Sequence, residues 1–488
     1  MSDLLELLAG PAPEHKEGLS LFRNGAAAGG EPALRGQARG VLTPARRAVA
    51  PPPARGLSPL VVEASSTQRA AYRAMRRRAF VDEQGLFAGH DEDAADLDPL
   101  TIVLVAVDLG GAVLGGVRVQ AEDAALGWWR GSRLVAQDGR IGAQLVQAAC
   151  ARAAAAGALR FDAHVQERLI GFFARLGWER VRALDVAGAP HALMRFPLTR
   201  LADAAAVKHP LGGLLDGLLP RDRWLGDDGV PVPGTDVIAC TDAIVPAMVE
   251  RDPEWAGWCG MLVTAHDLAA MGAEPTGALD TVGGRDTVHV EAILRGVKAG
   301  AEAFGLPVLG GHTHLGVPAA LSVTGFGRTD RPVAASGGRP GDPLHVCADL
   351  TGGWRPGYTG RQWDSTSGRS HEALASMLGA VRRAQPRAAK DVSMAGLVGT
   401  IGMLAEASGT GATIDVAAIP RPDAALADWL TCFPGFAVVA AGNAPTAPET
   451  VTARCGTLTA ESGVRLRWPD GELTTALASA PTGLGRAC

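Results

Sequence analysis

The sequence predicts a chain of mixed α/β and α+β class with more than one domain, and three observations carry that reading. At 488 residues the chain exceeds what a single hydrophobic core usually serves, so two or three domains are expected. From Leu60 onward, short apolar runs of strand character alternate with Ala-rich helical stretches and glycine turns, the pattern of helices layered on sheets. Residues 1–59 differ: they are rich in Ala, Gly and Pro, as in GAAAGGEPALRG and AVAPPPARG. Such a composition cannot bury enough apolar surface to offset chain entropy, so the segment reads as a disordered arm with one short helix near Leu4–Leu8.

The elements follow in order. VVEAS reads as a strand, STQRAAYRAMRRRAF as a helix, and TIVLVAVDLGGAVLGGVRV as two strands about the turn Asp108–Gly111. SRLVA, the helical Gly142–Ala156, a strand at Leu159–Val165 and the short helix RLIGFFARLG complete a compact unit over 60–198. A polar switch at Thr199–Asp203 opens a second block, 201–488, divided near Arg331–Arg339 (RPVAASGGR) into 201–335 and 336–488.

Charge and cysteine use narrow the function. The net charge of −5 argues against a nucleic-acid binder, which needs a positive field. Seven scattered cysteines without a CxxC pair fit a reducing cytoplasm and no zinc site. MSDLLELLAG carries Asp3 and Glu6 where a signal peptide needs positive charge, and no apolar run is long enough to span a bilayer. A cytoplasmic protein with no membrane partner is expected. Of 46 Lys plus Arg, only Lys16, Lys208, Lys298 and Lys390 are lysine; coding bias accounts for this, yet it marks the four for inspection.

In the first unit, RLVAQDGRIGAQL (133–145) reads as a strand, a Gly-containing loop and a helix start. Unpaired N–H groups there suit a pyrophosphate, although such a turn is as readily a plain connection. RRRAFVDEQG, the hairpin, RLVA…GRIGAQL, FFARLGWE and PHALM resemble, in that order, the Gcn5-related N-acetyltransferase (GNAT) family over residues 60–198. The resemblance implies that Gly139, Arg140, Ile141, Gly142 and Ala143 cradle acetyl-CoA. Arg140 stands where that family has its middle glycine, and Phe172–Phe173 stand where it often has a tyrosine acid, leaving Tyr72 as a substitute. Glu83, His164 and His191 are the candidate bases; the alternatives are a helix-end carboxylate, a core histidine and turn packing, respectively.

The second block spaces its acids next to small residues: Asp227–Asp228 in LGDDG, Asp242 in CTDAIVP, Asp267 in AHDLAAMG and Asp391 in KDVSMAGLVG. Converging carboxylates repel unless a cation neutralises them, and Mg²⁺ bridges such groups to phosphates; taken singly, each is as readily a cap or turn residue. Gly310–Gly311–His312–Thr313 after LPVL, and the glycines at 396–402, read as loop-to-element turns that present N–H groups to phosphate. No Walker or GxGxxG pattern occurs. His312 and His314 suit a phosphate or packing role better than a metal, GYTGRQWDSTSGR (357–369) reads as either a closing loop or a plain surface loop, and Cys259 reads as core.

KHPLGGLLDGLL, GDD, TDAIVP…DPEWAGWCGMLVTAHDLAAMGAEP, LGGHT and DVSMAGLVGTIGMLAEASGTGATID together resemble the aminoimidazole ribonucleotide (AIR) synthetase-related superfamily over 201–488, with wording most similar to selenophosphate synthetases. The resemblance implies a PurM-like fold of two subdomains, a half-barrel sheet followed by an α/β sandwich, with ATP held through Mg²⁺. It places the metals on Asp228, Asp242, Asp267 and Asp391, a catalytic lysine at Lys208, and the phosphate-side loop at Gly310, Gly311, His312 and Thr313. Ala205 stands where selenophosphate synthetases carry cysteine or selenocysteine, and Met394–Ala395 replace Gly-Phe, so a different acceptor is implied. Fusions of the two modules accompany nitrilases, which implies a nitrogen-containing small molecule, and the superfamily pairs half-sheets into a homodimer barrel. The leading expectation is a bifunctional transferase: Mg-ATP-dependent phosphoryl transfer by the C-terminal half and N-acyl transfer from acetyl-CoA by the N-terminal half. The alternatives are an acetyltransferase with a nucleotide-binding regulatory half, and a pair of binding modules.

Overall fold

The computed structural model of the chain describes residues 59–488, so the expectations for the arm at 1–59, Pro59 apart, fall outside the described residues. The first sheet contains β1 (Leu60–Glu63), β2 (Ile102–Val107), β3 (Val113–Asp123), β4 (Trp128–Ala136), β5 (Arg160–Gln166), β6 (Glu179–Val186) and β7 (Ala189–Phe196). Its strand order is β1-β2-β3-β4-β5-β7-β6. Strands β4 and β5 run parallel and pair only from Trp128–Arg160 to Gly131–Ala163. Helix α1 (Ser66–Arg76) begins at a capping box in which the Ser65 hydroxyl accepts from the Gln68 N–H and the Gln68 amide answers. Helix α2 (Gly139–Ala155) starts three residues before the predicted position, because Asp138 caps it. Buried Arg76 on α1 and Arg118 on β3 are held by Asp91, Asp93 and Asp96.

The sequence marks Thr199–Asp203 as a polar switch between units. The structure instead forms a helix at Arg200–Ala206 that buries Leu201 and Ala205. These two join Leu126 and Leu159 of the first unit and the core of the last sheet in one apolar cluster. Beside it Arg160 lies 4.0 Å from the Trp128 ring and 5.4 Å from the Trp468 ring. The two units are therefore packed together rather than strung on a linker.

The second sheet is built from β8 (Val230–Pro231), β9 (Val237–Ala243), β10 (Glu274–Gly284), β11 (Val308–Leu315) and β12 (Ala320–Arg328), in the order β11-β10-β12-β9-β8. Helices α3 (Pro253–Ala270) and α4 (Thr287–Phe304) pack on one another so closely that a Cβ at Gly296 would lie 1.8 Å from the Glu254 carbonyl oxygen, and one at Gly257 2.1 Å from that of Ile293. Only glycine permits that approach, which fixes the spacing between α3 and α4. Cys259 is buried in α3, as expected of a core residue.

The last third holds β13 (Pro343–Ala348), β14 (Gly353–Trp354), β15 (Gln362–Asp364), β16 (Ala388–Asp391), β17 (Gly411–Asp415), β18 (Phe433–Pro434), β19 (Ala437–Ala441), β20 (Val451–Thr459), β21 (Val464–Arg467) and β22 (Leu473–Leu477). Seven of these form a sheet in the order β16-β19-β13-β20-β17-β21-β22, and β14-β15-β18 form a small ribbon. Helix α5 (Gly396–Ser408) follows β16. The segment 357–369, read in the sequence as a closing or surface loop, carries β15 and buries Tyr358, Trp363 and Thr366; its aromatic side chains anchor it. Among the described residues, no helix is long and apolar enough to cross a membrane.

Candidate functional site

A cleft of about 2140 Å³ runs between the second and third sheets and the first unit, lined among others by Lys208, Asp228, Asp242, Asp267, Lys390 and Asp391. Five elements deliver these side chains. Asp228 precedes β8, Asp242 sits near the end of β9, Asp267 lies in the last turn of α3, Lys390 and Asp391 end β16, and Lys208 follows the helix at Arg200–Ala206. One carboxylate oxygen each of Asp228, Asp267 and Asp391 lie within 4.8 Å of one another. Three of the four expected acids thus converge, and Asp242 lines the same cleft.

The electrostatics match that crowding. Burial, then the neighbouring Asp391, Asp242 and Asp228 charges, hold the Asp267 carboxyl well above the usual carboxylate range. Asp391 is raised in the same way by burial and Asp228, and Asp242 by burial first. The Lys208 charge works in the opposite sense on Asp242 and Asp391. Neighbouring Asp227 has other partners: one oxygen accepts from the Ala335 N–H at 2.7 Å, the other is buried without a partner, and burial pushes its carboxyl up to about 7. An all-oxygen set of crowded, buried carboxylates suits a hard divalent cation rather than Zn²⁺ or copper, so the residues present fit Mg²⁺.

Lys390, marked in the sequence only as one of four lysines and given no role there, belongs to this site. Its ammonium group donates to Asp228 and, at 3.0 Å, to the Gly226 carbonyl oxygen, while the Asp391 N–H donates to the other Asp228 oxygen at 3.0 Å. The available signal was rarity, since Lys390 is one of only four lysines in the chain.

The Lys208 turn is held from the C-terminal side. The Gly212 N–H donates to the Thr482 carbonyl oxygen at 2.8 Å, and a Cβ at Gly212 would lie 2.2 Å from the Gly483 carbonyl oxygen. Buried Glu406 on α5 in turn accepts from the Thr482 N–H and hydroxyl and the Gly485 N–H.

The other expected residues lie elsewhere. Gly310, Gly311, His312 and Thr313 are not a loop: they form the middle of β11, paired in parallel with β10 from Leu279 to Val282, because the run of residues without bulky branched side chains fits an edge strand as well as a turn. They are exposed, the His312 and His314 rings meet through their Nε2 atoms at 2.8 Å, and none of the four lines the cleft.

In the first unit Gly139, Arg140, Ile141, Gly142 and Ala143 are not a cradling loop but the first turn of α2, where the Asp138 carboxylate accepts from the Arg140 and Ile141 N–H groups at 2.8 and 2.9 Å. Glu83 is exposed at the end of the π-helical turn Arg77–Glu83, and His164 is exposed just past the last β4–β5 pair. His191 lies on β7 rather than in a turn and is buried, with Nδ1 2.8 Å from the Ala189 carbonyl oxygen. The Tyr72 hydroxyl donates to the Arg133 carbonyl oxygen at 2.7 Å inside the core, and its proton is held there by burial. None of these residues borders the aspartate cleft.

Comparison with known sequences gives two matches in the C-terminal half. Residues 226–329 match the family described as AIR synthase related protein, N-terminal domain, and residues 362–468 match its C-terminal domain. An uncharacterised protein of Methanocaldococcus jannaschii is 34% identical over 196 residues, covering 38% of this chain and 59% of the relative. One of Synechocystis sp. is 31% identical over 221 residues, or 43% of this chain and 68% of the relative. A thiamine-monophosphate kinase of Salmonella typhimurium is 30% identical over 239 residues, or 42% of this chain and 69% of the relative. The chain thus spans between 59% and 69% of the length of these relatives.

Proposed function

Because the chain belongs to the AIR synthase-related family, we propose that its C-terminal half binds ATP with Mg²⁺ and transfers a phosphoryl group to a small, nitrogen-containing acceptor in the cleft. The observation that carries this reading is the convergence of Asp228, Asp267 and Asp391 on one buried point. Asp228, Asp242, Asp267 and Asp391 would hold the metal, which supplies charge neutralisation at the phosphates. The chain's own part is positioning. Lys208 stabilises phosphoryl oxygens from the opposite side of the carboxylates, the Gly212–Thr482 hydrogen bond keeps its turn in place, and the buried walls limit water. Exposed edge strand β11 supports a homodimer in which a second copy pairs with that edge. Gly310, Gly311, His312 and Thr313 would then face the partner.

A second reading gives the first unit acetyl-CoA-dependent N-acyl transfer, with Glu83 or His164 as base. It draws support from the GNAT-like strand order and from the parallel β4–β5 pair that parts after Gly131 and Ala163. The Asp138 cap counts against it, since the Arg140 and Ile141 N–H groups that would meet a pyrophosphate already bond a carboxylate. We therefore assign the chemistry to the C-terminal half.

A thermal-shift titration tests both. Mg-ATP at 100 times its dissociation constant adds about 2.7 kcal/mol, worth several degrees in the midpoint. The expected result is a Mg²⁺-dependent rise for the wild type, none for Asp242→Asn, and none with acetyl-CoA. A wild type indifferent to Mg-ATP refutes phosphoryl transfer, and a rise with acetyl-CoA alone moves the activity to the first unit.

A further inference from the structure

Lys390 is buried inside a nest of carboxylates, and its surroundings are those of a metal ion rather than of an ordinary salt-bridge lysine. The ammonium group is met by the Gly226 carbonyl oxygen at 3.0 Å and by Asp228, and the side chain is 4% exposed. Both Asp228 oxygens are engaged, the second by the Asp391 N–H. Next in the chain, Asp227 keeps one buried oxygen without any partner, and its charge and that of Lys390 act on one another. The main-chain carbonyl oxygen and the carboxylate oxygen on this ammonium group are donors of the kind a hard cation collects.

We propose that Lys390 is a built-in cation of the site: its ammonium group holds the place of one divalent ion, bonded through Gly226 and Asp228 with Asp227 beside it, and so fixes how many metal ions the aspartates take. Lys390 is a positioning residue, since it touches Asp228 and not the transferred group. The inference rests on the Mg-ATP reading above. A tethered charge is always present and carries no entropy of capture. It also keeps Asp228 turned toward Asp267 and Asp391 when nucleotide and metal are absent, so the remaining metal meets a preformed set of ligands.

The test counts ions. Mn²⁺ serves as the probe, and free Mn²⁺ is measured by electron paramagnetic resonance during titration of the full chain, with and without a non-hydrolysable ATP analogue. Lys390→Ala vacates the ammonium position and is expected to bind one Mn²⁺ more per chain than the wild type, while Lys390→Arg, which keeps the charge, binds the wild-type number. Lys390→Gln removes the charge and keeps a hydrogen-bond donor on a side chain one atom shorter. Its thermal midpoint is expected to rise by several degrees more with Mn²⁺ than that of the wild type, which gives a reading should Lys390→Ala fail to fold. Equal counts for wild type and Lys390→Ala, or an equal Mn²⁺ response of Lys390→Gln and wild type, overturn the proposal and leave phosphoryl transfer standing. A wild type that takes up no Mn²⁺ under either condition refutes the Mg-ATP reading itself, and this proposal with it.

Discussion

Arg160 donates two parallel hydrogen bonds to Asp470, each 2.8 Å long, and joins the first sheet to the last. The same guanidinium donates to Asp162 at 2.6 Å and packs beside the Trp128 and Trp468 rings. Because Arg160 is 1% exposed, deleting its charge leaves buried Asp162 with Arg195 as its one cationic partner and unfastens Asp470 from the first sheet. Arg160→Met is expected to cost about 3 kcal/mol, read as a lower urea midpoint and faster proteolysis between the units. Asp470→Asn should cost about 1 kcal/mol or less, since that carboxylate keeps contact with water.

The acid limb of stability belongs to the first unit and to its seam with the last sheet. Burial opposes ionisation of Asp96, but hydrogen bonds from Arg76 and the Asp93 N–H, with the Arg118 charge, hold its carboxyl well below the usual carboxylate range. Asp93 and Asp470 are lowered against their own burial by Arg118 and by Arg160, respectively. A depressed folded-state pKa gives stability that is present above the unfolded value, about 3.9, and lost as pH falls through the folded value. Urea midpoints should therefore fall steeply below about pH 4. Asp96→Asn should start lower and show a shallower fall; an unchanged slope would contradict this assignment.

Metal removal has a sign that distinguishes a binding site from packing. Asp267 is crowded by Asp391, Asp242 and Asp228, so Asp267→Asn relieves repulsion in chelator-treated protein. That variant is expected to melt above the wild type in EDTA and below it in Mg-ATP. Scanning calorimetry in both buffers checks the crossing, and a variant less stable under both conditions would make Asp267 a packing residue only.

Glu406 satisfies two main-chain N–H groups and the Thr482 hydroxyl. Glu406→Ala leaves buried donors unmet, at about 1–3 kcal/mol for each. Amide exchange at 208–214 should accelerate and Mg-ATP affinity should fall several-fold. If exchange quickens only at 482–485, the tail does not hold the Lys208 turn.

Local chemistry made much of this legible in the sequence. The helix in STQRAAYRAMRRRAF and the two strands about Asp108–Gly111 are present as read, and three of the four aspartates that the motifs single out, Asp228, Asp267 and Asp391, come together. The failures share a cause. A helix cap and a phosphate loop look alike in QDGRIGA until Asp138 is seen to fill the N–H groups, and GGHT suits a strand edge as well as a turn. Lys390 with Asp228, and Arg160 with Asp470, meet across 162 and 310 residues of chain, distances over which no periodicity speaks. The helix at Arg200–Ala206 was missed because its small, polar start hides a buried Leu201 and Ala205.

The clasp of Gly212 by Thr482 has a consequence for biosynthesis. The turn bearing Lys208 emerges from the ribosome long before the segment that fastens it, and α5, which supplies Glu406, lies between them. Sheets closed by contacts so remote in sequence form late. During synthesis the turn bearing Lys208 stays unclasped until the last few residues are made, and a chain that stalls before Thr482 lacks that fastening altogether.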